Sequence, residues 1–174
     1  MIKKNLKHLK SNKIFAGIIG SGIGLKHFEA IEEYKGSEVI TICEKNNKRI
    51  SFLKKTFPKK KGVKNEDEIF LNKKINLVSI ASYDDDHYKQ ILKCIKYNKN
   101  FIVEKPMCLK LDELKKINNL LKKSKVKIIS NLVLRFNSLF NDFRNKIDKK
   151  KIYYIEADYI WGRKKKLSQW RSKL

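Results

Sequence analysis

A short apolar run, Ile14 to Ile19, stops on Gly20-Ser21-Gly22-Ile23-Gly24 and passes into a segment of helical periodicity. The run has no polar alternation. It reads as a strand buried on both faces, and such strands belong to parallel sheets covered by helices. The glycines stop the strand and let the chain turn sharply. Leu25, Phe28, Ile31 and Tyr34 then recur at three-residue steps, and Gly36 stands where a helix takes its C-terminal cap.

The pattern continues in the same sense. Val39 to Cys43 is a second buried strand, and Asn46 to Thr56 a helix with Ile50 and Leu53 on one face, ended by Pro58. Lys59 to Lys64 reads as a basic loop and Asn65 to Asn72 as a short helix with acidic residues in its first turn. Leu77 to Ala81 is a strand, and Asp84 to Tyr97 a helix with Ile91, Leu92 and Ile95 inward. Phe101 to Val103 is a strand, and Leu111 to Lys123 an amphipathic helix with Leu111, Leu114, Ile117, Leu120 and Leu121 on its apolar face. Val126 to Ser130 closes the series. This alternation predicts an α/β fold, a Rossmann-type doubly wound parallel sheet with helices on both faces, over residues 1–133. After Val133 the character changes. Phe136 to Ile147 reads as a helix, and Ile152 to Trp161 as a strand with one exposed face. Residues 134–174 are therefore expected to begin a second α+β domain.

Composition narrows the classes. The 174 residues are 41% hydrophobic, which supports a packed core and argues against disorder. No apolar run approaches the roughly 18 to 20 residues of a membrane span, and the basic lead from Met1 to Lys13 does not read as a secretion signal, so a cytoplasmic protein is expected. Cys43, Cys94 and Cys108 are odd in number and far apart, which fits neither a disulfide framework nor a zinc spacing. The net charge of +24 raises nucleic-acid binding as a class. The excess is Lys rather than Arg and is spread over every segment, so no specific nucleic-acid partner is expected. Asp84-Asp85-Asp86-His87 reads as an acidic helix start rather than a metal site, since no second ligand cluster accompanies it.

The first strand-to-helix turn carries the most chemistry. Gly20 permits the turn, and Gly22 lets a pyrophosphate approach the backbone where helix N–H groups and the dipole favour anions. The third glycine of the usual G-x-G-x-x-G would fall at Leu25, so that pattern is broken, and Gly24 lies one position early. Glu44, at the end of the second strand, follows Gly20 by 24 residues. That is near the roughly 20-residue spacing at which an acid binds the adenosine ribose hydroxyls. A carboxylate there favours NAD over NADP, whereas nearby Lys45, Lys48 and Arg49 keep NADP open.

These features meet a third, Glu104-Lys105-Pro106 after the strand at 101–103. Together with Gly20-x-Gly22, His27, Ala81-Ser82 before His87, Arg135-Phe136-Asn137 and Trp170-Arg171, it resembles the Gfo/Idh/MocA oxidoreductases, the glucose–fructose oxidoreductase and inositol dehydrogenase group. The resemblance implies roles by position. Gly20, Ser21, Gly22 and Ile23 would form the pyrophosphate loop, and Glu44 would hold the adenosine ribose. Ala81, Ser82 and Tyr83 would line the nicotinamide side, with His87 opening the next helix. Glu104 and Lys105 would sit at the nicotinamide, Lys105 as the catalytic cation near the reacting carbon, and Pro106 would set the loop through a cis bond. Arg135, Trp170 and Arg171 could reach cofactor or substrate. His27 is expected to be a packing or anchoring residue.

Hydride transfer to or from a carbinol needs a positive group near the developing alkoxide, and a partly desolvated Lys supplies it. Two positions depart from the family pattern, Tyr83 and Ser138, each standing where proline is usual. The family's Asp/His acid–base segment is expected beyond the family positions matched here, in the second domain that builds the substrate pocket. The reading is thus a sugar-type oxidoreductase in truncated form, with weak or no turnover alone, or a dinucleotide-binding module without catalysis. The strand at 152–161 is expected to seek a second copy or a complementing chain.

Overall fold

Strand and helix alternate through the computed structural model, which describes residues 13–147, 151–158 and 160. The elements are β1 (Ile14–Ile19), α1 (Gly24–Glu33), β2 (Ser37–Cys43), α2 (Asn47–Thr56), β3 (Lys61–Val63), α3 (Asp67–Phe70), β4 (Leu77–Ile80), α4 (His87–Lys96), β5 (Asn100–Val103), α5 (Leu111–Lys122) and β6 (Ile128–Ser130). The six strands form one sheet in the order β3-β2-β1-β4-β5-β6, and every pairing is parallel. The order reverses between β1 and β4, which opens a crevice at the carboxyl ends of these strands. The α/β doubly wound architecture read from the apolar runs is therefore the one observed.

The buried strands load both faces of the sheet. On one, Ala16, Ile18, Val39 and Ile42 meet Phe28 and Ile31 of α1 and Leu53 of α2. On the other, Ile19, Val78, Ile80, Phe101 and Val103 pack against Ile69 and Phe70 of α3, Ile91 and Cys94 of α4, and Ile117 of α5. Burial pushes the Cys43 thiol up to about 12 and raises Cys94 as well, so both behave as small apolar side chains. The cap of α1 is Tyr34 rather than Gly36, whose positive φ of 99° serves the turn closed by Ser37 N–H on Tyr34 O.

Several local expectations need correction. The basic loop at 59–64 contains the edge strand β3, whose Thr41–Lys61 to Cys43–Val63 pairing comes from the neighbouring strand rather than from its own polar sequence. Helix α4 begins at His87, not at Asp84. Asp86 does not cap it with its side chain but pairs with Lys45 Nζ at 2.9 Å. Tyr34, Leu111, Leu114 and Leu120 are exposed, so only Ile117 anchors α5 deeply.

The chain divides into two compact units, residues 1–132 and 133–174. In the second, a 3-10 turn (Val133–Phe136) leads to α6 (Ser138–Ile147). The strand expected at 152–161 is not formed among its described residues, and Tyr153, Tyr154 and Ile155 are exposed. Strand propensity there is unmatched by a ladder partner, and a lone strand has no backbone hydrogen bonds to hold it. Trp161 lies outside the described residues. Among the described residues no helix is long and apolar enough to cross a membrane, and no group of three or more His, Cys, Asp or Glu side chains is placed to hold a metal.

Candidate functional site

Five residues that follow strand ends meet at the carboxyl edge of the sheet because the ladder runs on past each strand. Gly20 N–H donates to Cys43 O, Glu44 N–H to Val63 O, Ala81 N–H to Ile19 O, Glu104 N–H to Ile80 O and Asn131 N–H to Val103 O, all at 2.8–2.9 Å. These bonds bring the glycine turn, Glu44, Ala81-Ser82 and Glu104-Lys105 into one row.

Gly20 has φ of 91°, and a Cβ there would lie 2.4 Å from the carbonyl oxygen of Ala81. The turn is thus pressed against the end of β4. Gly24 does the work expected of a third glycine. As the first residue of α1 it is buried, and a Cβ on it would stand 2.9 Å from Ile18 Cγ2 and 3.2 Å from Ala81 Cβ. The helix can approach the sheet closely with the glycine one place earlier than the usual spacing, which is the signal the linear pattern missed. Gly22 has open surroundings apart from Arg49 Nη1, 3.4 Å from where its Cβ would be. No side chain caps the start of α1, and the neighbouring Ile23 is exposed. Leu25 N–H turns back to Gly22 O at 3.4 Å and Lys26 N–H to Ile23 O at 2.9 Å, and a helix start without a side-chain cap is the kind of place that favours an anion.

Glu44 is tied to this turn. Its Oε2 accepts from Ser21 N–H at 3.1 Å and from Ser21 Oγ at 2.5 Å, and Oε1 accepts from Asn46 N–H at 2.9 Å. Arg49 Nη1 lies 3.8 Å from Oε2. Burial would raise this carboxyl, but the Ser21 and Asn46 donors and the Arg49 charge outweigh it and hold the group below the ordinary 4.5. Glu44 and Arg49 therefore flank the spot where the adenosine ribose was expected.

The other half of the row is built around Glu104. Its Oε1 receives His27 Nε2 at 3.0 Å and Asn131 Nδ2 at 2.6 Å. His27 Nδ1 meets Ser79 Oγ at 2.7 Å. An ionised carboxylate only accepts, so Nε2 carries a proton toward Glu104, and in the neutral ring Nδ1 then accepts from the Ser79 hydroxyl. The His27 bond is the main reason the Glu104 carboxyl lies below its ordinary value, against burial and with help from Asn131 and the Lys105 N–H. Ser79, His27 and Glu104 have the order of a hydrolytic triad, yet Ser79 is fully buried and offers no nucleophile.

His87 is also fully buried, with Nδ1 donating to Pro106 O at 2.7 Å and Nε2 lying 3.3 Å from Ser82 O. It joins the two loops expected at the nicotinamide rather than presenting a free ring. The Ser82 hydroxyl donates to Gln90 Oε1 at 2.6 Å, Ala81 is buried and Tyr83 is exposed. The Lys105–Pro106 peptide is cis, as expected. Lys105 is exposed rather than partly desolvated, although the loop residues Pro106, Met107 and Cys108 on its C-terminal side are partly buried. Arg135 is exposed in the second unit, and Trp170 and Arg171 lie outside the described residues.

A doubly wound sheet with an uncapped helix N-terminus behind a glycine turn defines a dinucleotide-binding class of domain. The chain belongs to the Gfo/Idh/MocA group, the oxidoreductase family with an NAD-binding Rossmann fold, whose pattern it matches over residues 14–132. It is similar to an uncharacterized oxidoreductase of Synechocystis, 26% identical over 128 residues, covering 73% of this chain and 34% of the relative. Myo-inositol 2-dehydrogenase of Thermotoga maritima is 23% identical over 133 residues, covering 76% of this chain and 40% of the relative. An oxidoreductase from Agrobacterium radiobacter, solved with NAD+, L-tartaric acid and magnesium, shares the fold with a TM-score of 0.71 at 16% identity, covering 78% of this chain and 40% of that one. The chain spans 34 to 40% of the length of these proteins.

Proposed function

We propose that this chain binds NAD along the carboxyl edge of its sheet and serves an oxidoreductase that moves hydride between the cofactor and a sugar-like alcohol. The observation that carries this reading is the bare start of α1, with Gly22 unobstructed, between Glu44 on one side and Glu104-Lys105 on the other. The diphosphate would rest on the turn at Gly20-Ser21-Gly22-Ile23. Glu44 would face the ribose, Ala81, Ser82 and Tyr83 would line the nicotinamide, and His87 would hold the lining loops together. Lys105 would meet the substrate oxygen, and Arg135, Trp170 and Arg171 stay further candidates on the family resemblance alone. When bound, the nicotinamide supplies the hydride chemistry. The chain's residues orient it and place a cation beside the developing alkoxide.

The Arg49 guanidinium, 3.8 Å from Glu44 and beside Gly22, favours acceptance of NADP as a second reading. A module that binds dinucleotide without turnover is favoured by another observation, since the imidazoles of His27 and His87 are both committed to internal hydrogen bonds. Titration with NADH and NADPH, followed by fluorescence transfer from Tyr and Trp, tests binding. Reduction of NAD in the presence of inositols and sugars tests turnover. Binding of neither dinucleotide below millimolar concentration would remove the basis of the proposal.

A further inference from the structure

The loop from Glu104 to Lys110 is pinned at three points. Glu104 is held by His27 and Asn131, the Pro106 carbonyl by His87, and the N–H groups of Leu109 and Lys110 by Glu113 Oε2 at 3.2 and 3.3 Å. Two of these pins come from α4 and α5, the helices that flank the loop in sequence. The third is different. His27 sits on α1, 77 residues away, in the helix whose N-terminus faces the glycine turn. Its side chain and that of Glu104 are only 11% and 14% exposed, so water competes weakly for the bond between them.

The two contacts of the ring have different purposes. Through Nδ1 it takes the Ser79 hydroxyl from the middle of β4, which fixes the ring plane. Through Nε2 it fixes one oxygen of Glu104, and Asn131 Nδ2 converges on the same oxygen. Asn131 and His27 nitrogens lie 3.2 Å apart, but both are donors here and do not bond each other. Lys105 follows Glu104 directly in the chain, so fixing this carboxylate restrains the backbone from which Lys105 leaves. The direction in which Lys105 leaves the loop is therefore referred back to α1.

Resting on the dinucleotide reading above, we propose that His27 is a positioning residue: it locks the Glu104–Lys105 loop to α1, so that the helix receiving the diphosphate also sets the nicotinamide side of the site. His27 touches neither cofactor nor substrate in this role. Loss of the pin leaves the adenosine and diphosphate contacts intact and lets the loop spend much of its time out of register. Apparent affinity then falls by the fraction of time the loop is correctly placed.

The test uses the full 174-residue chain and two ligands, NADH and ADP-ribose, which share everything except the nicotinamide. His27→Ala is expected to weaken NADH about tenfold while ADP-ribose changes less than about twofold. His27→Gln keeps a donor toward Glu104 and is expected to recover most of the NADH affinity. Asn131→Ala removes the second donor, should act in the same direction, and carries the test if His27→Ala fails to fold by circular dichroism. Equal losses for both ligands, or no loss for NADH, would overturn the positioning role while leaving the dinucleotide reading intact. Wild-type protein that binds neither ligand would overturn the dinucleotide reading itself.

Discussion

The Ser21 hydroxyl donates to Glu44 Oε2 at 2.5 Å, joining the turn after β1 to the end of β2. The same oxygen accepts the Ser21 amide, so one carboxylate closes the glycine turn from the side. The bond also takes up lone pairs that a ribose would use, which makes Glu44 a brace for the turn as well as a candidate ligand.

A stability effect of pH follows. Glu44 and Glu104 both titrate below the ordinary 4.5 in the folded chain. A depressed carboxyl contributes stability that is present above the unfolded value and is lost as pH falls through the folded one. The melting temperature is expected to be flat near neutrality and to fall as pH drops below about 4.5. Glu44→Gln should shallow that acid slope, with Glu104 keeping part of it. Thermal melts from pH 7 to 3 measure both, and a Glu44→Gln slope as steep as wild type would contradict the assignment.

The three glycines of the turn should separate folding from binding. Gly20→Ala puts a Cβ against the Ala81 backbone at positive φ, and is expected to destabilise by about 2–4 kcal/mol. Gly24→Ala meets the Ile18 and Ala81 side chains and should cost about 1–3 kcal/mol. Gly22→Ala meets only the tip of Arg49, so stability should change by less than about 0.5 kcal/mol. NADH affinity should nonetheless fall at least about tenfold, because the methyl occupies the anion's place. Urea unfolding read beside NADH titration decides each case.

Arg49 offers a separate handle on cofactor choice. Its guanidinium is half-exposed, so its ion pair with Glu44 contributes little to folding. Arg49→Ala should leave urea stability unchanged and lower NADPH affinity about tenfold, with NADH changed by less than about threefold. A loss shared equally by the two dinucleotides would instead place Arg49 at the diphosphate.

His87 should behave as a buried tie. His87→Ala leaves the Pro106 carbonyl unpaired in a closed space and is expected to destabilise by about 2–4 kcal/mol. His87→Asn retains a donor near the Nδ1 position and should recover a measurable part of that loss. Equal instability of the two variants in urea would show that ring volume, not the hydrogen bond, is what matters.

Much of this architecture was readable along the chain because burial on both faces forces uniform apolar runs. IFAGII, VITIC and LVSIA announce strands whatever surrounds them. β3 was not readable, since a three-residue edge strand with Lys61 and Gly62 borrows its conformation from β2. The exposed leucines of α5 show the converse, for an amphipathic period states which face is apolar but not whether anything covers it. The described residues from 152 to 160 have strand composition and form no strand, because propensity without a partner forms no ladder.

The order of apolar runs, the glycines behind the first, and the residue types of Glu44 and Glu104-Lys105-Pro106 were set by the sequence alone. They specify periodicity, turn geometry and chemical type, which are local properties. The folded chain alone decided that Gly24 would bring α1 close to β1 and β4, that Ser21 would close on Glu44, and that His27 would reach Glu104. Such contacts join residues far apart in the chain, and their partners are chosen by sheet order and helix packing, which no local pattern encodes.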